Sequence, residues 1–445
     1  MSQTFLFSEE KTIKKGLDDF KIFLANEELK NLENEFYWRL AFWSQINKIF
    51  PQITFFEKDG RLDSGYLSHN WHSFPAKFYP QLVRSLMNIC KVKKGSIIFD
   101  PYAGCGTTLV ESKLMGFDAT GLDISKLAVM ITKVKTNLDI DLNLLNKNLY
   151  LIISKSESDL VNEKNNFYAT DFERYWYSEG NLKQLKILKK NLDSVKEQDI
   201  KDFFLVALSS ILRRIANTKS GQIEVRHQVR GKVLDVLSLF KKKVKSMEGD
   251  ILNYREYSPR RKSKTDIKFA NASESKIKEE SVDFIITSPP YGNGLDYSKI
   301  HKLSIALIFG EDELEFFKNS QTGTLYSQGF ESLVVPFSKR GQEIVEVLSK
   351  EVSLNRAKAM SKYYWDMFSS IKNMFQALKK EGNCVIIIGG TKIRGLEIDN
   401  SQVLLEIAEH IGFKRERILN WEYDKTRRSG LEHKIKGEAI LVLKK

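Results

Sequence analysis

The sequence predicts an α/β fold: a doubly wound, mainly parallel sheet that carries a largely helical insertion. Three observations predict it. Short apolar runs, Ser96-Ile97-Ile98-Phe99-Asp100, Val282-Asp283-Phe284-Ile285-Ile286 and Cys384-Val385-Ile386-Ile387-Ile388, read as buried strands. Segments of helical period stand between such runs, as in β-α-β units. Two strands of one such unit each end in an acidic residue, Asp100 and Asp123.

Taken in order, residues 1–65 hold Phe20, Phe23, Leu24, Leu29, Leu32, Phe36, Leu40 and Trp43 at helical spacing. They predict a helical N-terminal extension stopped near Pro51. Residues 69–80, rich in proline and aromatics, predict a structured loop, and 81–90 a short helix. A strand over 96–100, a helix over 109–115 closed by Gly116, and a strand over 119–123 make one β-α-β unit. From Ser125 to Asp266 the periodicity is helical: Phe203, Phe204, Ala207, Leu208, Ile211, Leu212 and Ile215, then Val233, Leu237, Phe240 and Val244. Strands are expected at 267–271 and 282–287, and a helix at 298–309. Residues 311–357, with Gly323, Gly329 and Pro336, read as an irregular insertion. A helix from Tyr364 to Leu378 ended by Gly382, a strand at 384–388, a helix at 401–411 and strands at 414–421 and 438–443 complete the sheet.

Composition limits the function. The 70 Lys and Arg exceed the 57 Asp and Glu, for a formal charge of +13, so a polyanion is a plausible partner. Cys90, Cys105 and Cys384 form no CxxC pair and the histidines no HExxH, so no metal site is expected. The N-terminus has no basic region followed by an apolar stretch. No apolar run approaches the roughly 18 residues that span a bilayer. A cytoplasmic location without a membrane partner is expected.

Two stretches carry the chemistry. In Asp100-Pro101-Tyr102-Ala103-Gly104-Cys105-Gly106-Thr107-Thr108 the glycines let the backbone turn tightly and approach a ligand. The run is neither GxGxxG nor a P-loop. Asp100 and Asp123 put negative charge where a phosphate loop would avoid it. A ligand with a positive centre and a ribose fits better, and S-adenosylmethionine has both. The second stretch is Thr287-Ser288-Pro289-Pro290-Tyr291. Two prolines must end the strand there, at the carboxyl edge where α/β sheets hold ligands. Rigid carbonyl acceptors beside a flat ring suit a planar substrate that carries an amine.

Read together, Asp100 to Glu111 resembles the S-adenosylmethionine loop of the DNA amino-methyltransferases, and Val282 to Tyr291 resembles their catalytic strand and loop. His72-Ser73-Phe74-Pro75-Ala76-Lys77-Phe78-Tyr79-Pro80 is similar to the segment that covers the methionine end of the cofactor. Gly292 to Gly310, with Asp296-Tyr297 and His301-Lys302-Leu303, is also similar to family members. The resemblance implies a seven-stranded Rossmann-like methyltransferase sheet over 66–125 and 266–445, interrupted by the basic insertion 126–265. It implies cofactor contacts at Phe74, Lys77, Phe78, Asp100, Tyr102, Gly104, Gly106, Thr107, Thr108, Asp123 and Ile124. Asn271 joins them where the family more often has an aspartate near the adenine. It implies catalysis at Ser288, Pro289, Pro290 and Tyr291 on a base flipped out of double-stranded DNA. Ser-Pro-Pro-Tyr is similar to the cytosine-N4 branch; adenine-N6 methylation, or methylation of an RNA base amine, are the alternatives. A cytosine-C5 reaction is disfavoured because no Pro-Cys pair exists. A cognate restriction endonuclease is the partner that restriction-modification would supply. Nucleic-acid contacts are expected at Arg213, Arg214, Lys219 and Arg226. They are also expected at Arg260, Arg261 and Lys262 in a basic stretch, 239–268, with Tyr254 and Tyr257 interleaved.

Overall fold

The computed structural model describes residues 65–162, 167–257, 263–292, 294–323, 330–422 and 437–445. Residues 1–64 of the expected N-terminal extension, and the expected nucleic-acid contacts Arg260, Arg261 and Lys262, lie outside the described residues. A 3₁₀ turn, Leu67–Asn70, leads to α1 (Pro80–Ile89), β1 (Ile97–Asp100), α2 (Thr107–Met115) and β2 (Asp118–Asp123). The insertion follows as α3 (Lys126–Thr136), α4 (Leu142–Asn162), α5 (Asp171–Trp176), α6 (Glu179–Asp193), α7 (Gln198–Ile215) and α8 (Val236–Tyr257). Then come β3 (Thr265–Phe269), β4 (Val282–Thr287), α9 (Tyr297–Phe309), α10 (Glu311–Ser320), α11 (Lys339–Val347), α12 (Leu354–Ala377) and β5 (Leu378–Gly389). The chain closes with the small hairpin β6 (Thr391–Ile393) and β7 (Leu396–Ile398), α13 (Asn400–Ile411), β8 (Lys414–Glu422) and β9 (Gly437–Lys444).

Seven strands form one sheet in the order β3-β2-β1-β4-β5-β9-β8. All its pairings are parallel except those of β9, which runs antiparallel between β5 and β8. From β1 the chain winds outward through β2 and β3, then returns to β4 on the other side of β1. That reversal makes the β1/β4 boundary the topological switch point, where a crevice opens beyond the carboxyl ends of the strands. The two sequence stretches that carry the chemistry leave the sheet at those two neighbouring ends.

The insertion shares a core with the sheet's own helices. Leu185, Leu188, Phe204 and Phe240 of the insertion are fully buried in one apolar cluster with Val110 and Leu114 of α2 and Leu303 of α9. Each such side chain contributes about 1.5–3 kcal/mol, which holds α9 against the insertion. α12 and α13 cover one sheet face with Ile285, Cys384 and Ile386, and α1 and α2 cover the other with Ile98, Phe284 and Val385. No helix among the described residues is long and apolar enough to cross a membrane.

Four elements differ from expectation. β3 begins two residues early because its ladder follows β2, Ala119 with Thr265 through Asp123 with Phe269. It is an edge strand that buries little beyond Ile267, so its sequence carries a weak apolar signal. Gly382 does not end a helix: α12 passes directly into β5, and Gly382 lies where the β4/β5 register slips between Leu378 and Asn383. Where 311–357 was expected to be irregular, its described residues include α10 and α11; α10 buries only Phe317, so no apolar stripe announced it. Three cations of the basic 239–268 stretch are engaged internally. Lys243 donates to the Asn70 carbonyl, Lys245 pairs with Glu248, and Arg255 donates to the Leu138 and Ile140 carbonyls.

Candidate active site

Asp100, at the end of β1 and 2 % exposed, ties the two loops together. Its Oδ1 accepts from the Tyr102 N–H at 3.0 Å and from Thr287 Oγ1 at 2.7 Å, and its Oδ2 accepts from Thr108 Oγ1 at 2.6 Å. Thr108 opens α2 and Thr287 directly precedes Ser288, so one carboxylate fixes the cofactor-type loop to the Ser-Pro-Pro-Tyr loop. Burial, only partly offset by these bonds, pushes its pKa up to about 6. Asp123, at the end of β2, accepts from the Gly104 N–H and the Ser125 N–H, both at 2.8 Å. Burial raises it to about 6 as well, with the nearby Asp100 charge contributing.

Gly104 and Gly106 have φ of +54° and +82°. A Cβ on Gly106 would stand 2.7 Å from the Thr132 side chain, and Thr132 in turn donates to the Gly104 carbonyl at 3.1 Å. Glycine is required at 106 by both conformation and space. Phe74 reaches within 3.7 Å of where a Gly104 Cβ would lie. It stacks on Tyr297 at 5.5 Å and lies 4.6 Å from His301. An aromatic wall built from the pre-loop segment and α9 thus stands over the glycine turn. Burial keeps His301 neutral, with a pKa pushed down to about 3.

The Ser-Pro-Pro-Tyr loop is held by residues that sequence reasoning missed. Tyr363 on α12 donates to the Pro290 carbonyl at 2.7 Å, and Asn400 on α13 donates to the Tyr291 carbonyl at 2.7 Å. The Tyr291 hydroxyl donates to Glu438 on β9 and lies 3.4 Å from Ser288 Oγ. Gly292, at φ +61°, passes so close to Tyr363 that a Cβ would meet its ring at 2.9 Å. Pro289 is buried, and its carbonyl has no hydrogen-bond partner among the described residues. A further missed residue is Glu111 on α2. It accepts from Tyr66 at 2.6 Å and from Arg84 at 2.7 Å, and lies 2.8 Å from His69 Nε2. Burial alone would raise this carboxyl; Arg84 first, then His69 and Tyr66, outweigh it and hold it below its usual value. No local motif marks any of these partners.

Some expected cofactor residues are engaged elsewhere. The Asn271 side-chain carbonyl, expected to face an adenine, already accepts from Ser273 N at 3.1 Å and Ser273 Oγ at 2.9 Å. Its amide donates to Glu274 at 2.7 Å, so the side chain caps its own turn. The Tyr102 hydroxyl is bonded to Ser370 on α12 at 2.6 Å, leaving its backbone to the loop. Lys77 Nζ approaches the His69 carbonyl at 3.4 Å, and Phe78 packs toward the core around Ile98 and Ile286. Thr107 is buried at the start of α2, and Ile124 packs against the insertion's core. Among the expected nucleic-acid contacts, Arg213 donates to the Gln222 and Ile223 carbonyls, whereas Arg214, Lys219 and Arg226 are exposed. A cavity of about 650 Å³ is lined by Asp118 and Thr265, the first residues of β2 and β3, so it opens at the opposite end of the sheet. No cluster of side chains among the described residues could hold a metal ion.

The cradle fits a cationic nucleoside cofactor, and fold and site together define a methyltransferase that uses S-adenosylmethionine. Two carboxylates, Asp100 buried and Asp123 partly so, rather than a phosphate-binding nest, flank a glycine turn at the switch point. Residues 71–303, more than half of the chain, match the family described as RMKL-like, methyltransferase domain. Residues 6–134 match that of a DNA methylase. The Type II methyltransferase M.MvaI of Kocuria varians is 26 % identical over 375 residues, covering 77 % of this chain and 81 % of that one. A 50-residue stretch is 40 % identical to the tRNA (guanine(10)-N2)-dimethyltransferase of Methanocaldococcus jannaschii, covering 11 % of this chain and 14 % of that one. A solved SAM-dependent methyltransferase from Methanosarcina mazei aligns over 80 % of this chain and 94 % of its own, at 8 % identity and a TM-score of 0.30. The chain belongs to the RMKL-like methyltransferase-domain family, and the DNA methylase match and the Type II relative support a DNA amino-methyltransferase within it.

Proposed function

We propose that this chain methylates the exocyclic N4 amine of cytosine in double-stranded DNA, as the modification enzyme of a restriction-modification pair. One observation supports the reading: Asp100 accepts from Thr287 at 2.7 Å, which ties the residue directly before Ser288 to the cofactor-type loop. S-adenosylmethionine supplies an electrophilic methyl group. Asp123 would accept from the ribose hydroxyls, Gly104 and Gly106 would admit the cofactor to the backbone, and Phe74 would cover it.

Ser288 and the Pro289 carbonyl accept the two hydrogens of the flipped base's amine, which aims the nitrogen lone pair and stabilises its developing positive charge. Tyr291 presents its ring to the base, held in place through its carbonyl by Asn400 and through its hydroxyl by Glu438. Methylation obliges the nitrogen to lose one proton. The oxygens of Ser288, Tyr291 and Glu438 form a line along which that proton reaches a carboxylate. No covalent enzyme intermediate is needed.

Serine at position 288 favours cytosine N4 over adenine N6. The short match to a tRNA dimethyltransferase favours RNA as the second reading. Incubation with labelled S-adenosylmethionine and either duplex DNA or total RNA, followed by digestion to nucleosides, tests all three. N4-methylcytosine from DNA is expected. N6-methyladenine would reassign the base, and label confined to RNA would overturn the proposal.

A further inference from the structure

Between α7 and α8 the chain makes a long excursion without regular secondary structure, and it is built as a rigid platform. Loops of this length in a compact fold are usually functional. Asn217 and Gln228 pair through the backbone at 3.0 Å, Lys219 and Arg226 at 2.9 Å, and Thr218 bridges His227. The tip is clamped from below by Arg213, which donates to the Gln222 and Ile223 carbonyls. Val225, 4 % exposed, is the inward pin, and its N–H reaches the Lys299 carbonyl on α9 at 3.4 Å. The base of the hairpin is fixed by Asn217 N–H on the Trp176 carbonyl at 2.7 Å and by His227, stacked on Tyr175 at 4.1 Å. Lys302 of α9 sits 4.5 Å over the Trp176 ring, closing the joint.

What this platform presents outward is not ordinary surface. Residues 213–232 contain six Lys or Arg and a single acid, Glu224. Lys219, Arg226, Arg230 and Lys232 are exposed. Among them stand three bare β-branched side chains: Ile223 at 50 %, Val229 at 72 % and Val233 at 60 % exposure. Cations alone would suit a solvated loop. Apolar side chains held out on a rigid basic hairpin suit a polyanion with apolar groups between its charges. α9 continues from the hairpin's joint to Asp296, its N-cap, only five residues beyond Tyr291.

We propose that the hairpin 217–233 is the element that grips duplex DNA and reads the bases around the target. Lys219, Arg226 and Lys232 neutralise phosphates, and Gln228 and Val229 meet base edges. α9 carries that register to the Ser-Pro-Pro-Tyr loop. This inference rests on DNA being the substrate.

The test uses the full chain with two variants, Arg226→Ala/Lys232→Ala and Gln228→Ala/Val229→Ala. A control, Lys93→Ala/Lys94→Ala, lies on the turn before β1 at the other end of the sheet. Binding to a random-sequence duplex is followed by fluorescence anisotropy across salt concentrations. Methylated positions in a random-sequence duplex library are then mapped by sequencing. The first variant should lower the slope of log affinity against log salt by about 0.9 for each phosphate contact removed, with S-adenosylmethionine affinity unchanged. The second should keep the salt slope and relax the methylated sequence. The control should match wild type. Wild-type slope in the first variant and wild-type sequence preference in the second would overturn the assignment. If wild type methylates no DNA at all, the proposed function fails instead, and the two failures are thereby distinct.

Discussion

Acid should weaken cofactor binding through two carboxylates. Asp100 and Asp123 each titrate at about 6, raised by burial. At about pH 5 such a group is ionised in roughly one molecule in eleven, so a ligand that requires the carboxylate loses about tenfold in affinity, ~1.4 kcal/mol per group. Asp123 acts directly, by accepting from hydroxyls. Asp100 acts through geometry: once protonated it must donate a hydrogen, and it can no longer accept from Tyr102, Thr108 and Thr287 together. The two effects together amount to about 100-fold between about pH 7.5 and pH 5. Stability moves the other way. The folded values lie above the ordinary 3.8, so each group's contribution is fully present below that value and is lost as the pH rises through about 6. The cofactor-free protein therefore gains stability from these groups on acidification while affinity falls. Equilibrium dialysis with labelled S-adenosylmethionine, on wild type and on Asp123→Asn, reads the effect. The variant should bind more weakly at pH 7.5 and keep only about one order of magnitude of pH dependence, from Asp100. Affinity that is flat with pH in wild type, or a slope unchanged by Asp123→Asn, would refute this reasoning.

Three substitutions probe the supports of the site. Tyr363→Phe removes only the hydroxyl on the Pro290 carbonyl, a bond worth about 0.5–1.5 kcal/mol. Single-turnover methyl transfer should slow about 2- to 12-fold with cofactor affinity unchanged; an unaltered rate means that the loop needs no such tether. Glu438→Gln replaces a charged acceptor for Tyr291 with a neutral one, and the rate should fall about 10- to 100-fold, the cost of a charge-assisted bond. Equal rates at every pH would exclude Glu438 from the proton's path. Glu111→Gln leaves Arg84 buried without its counter-charge, at a cost of about 3–5 kcal/mol. Urea denaturation should show it, and a midpoint equal to wild type would mean that water already serves Arg84.

What the sequence made legible was local. Strand-turn-helix chemistry is written in consecutive residues, so the Asp100–Thr108 turn and the proline-ended β4 could be read directly. The turn of the second loop was readable for the same reason, since two prolines admit few conformations. What stayed hidden are partners that arrive from far along the chain. Tyr363 lies 73 residues from Pro290, Asn400 109 from Tyr291, and Glu438 147 from Tyr291. Tyr363 and Asn400 belong to helices and Glu438 to a strand, where each reads as an ordinary residue until the sheet order brings β9 and α13 beside β5. Asn271 misled for the opposite reason. Its place after β3 suggested an adenine contact, but Asn caps a turn readily, and Ser273 occupies its carbonyl.

The supports also bear on why serine can stand at position 288, where an aspartate would bring its own charge to the target amine. Here Asp100, the carboxylate nearest to Thr287, is spent on holding the two loops together and is already raised by burial. A second carboxylate one residue further on would bring another negative charge close to buried Asp100, at a further repulsion cost. A neutral hydroxyl at 288 avoids that cost. On the proposed mechanism the charge would come from outside the motif instead, from Glu438 on the one antiparallel strand of the sheet, which accepts from the Tyr291 hydroxyl. On this account the identity of residue 288 and the presence of an acid on β9 are coupled, and Ser288→Asp should be tolerated better when Glu438 is neutralised than when it is not.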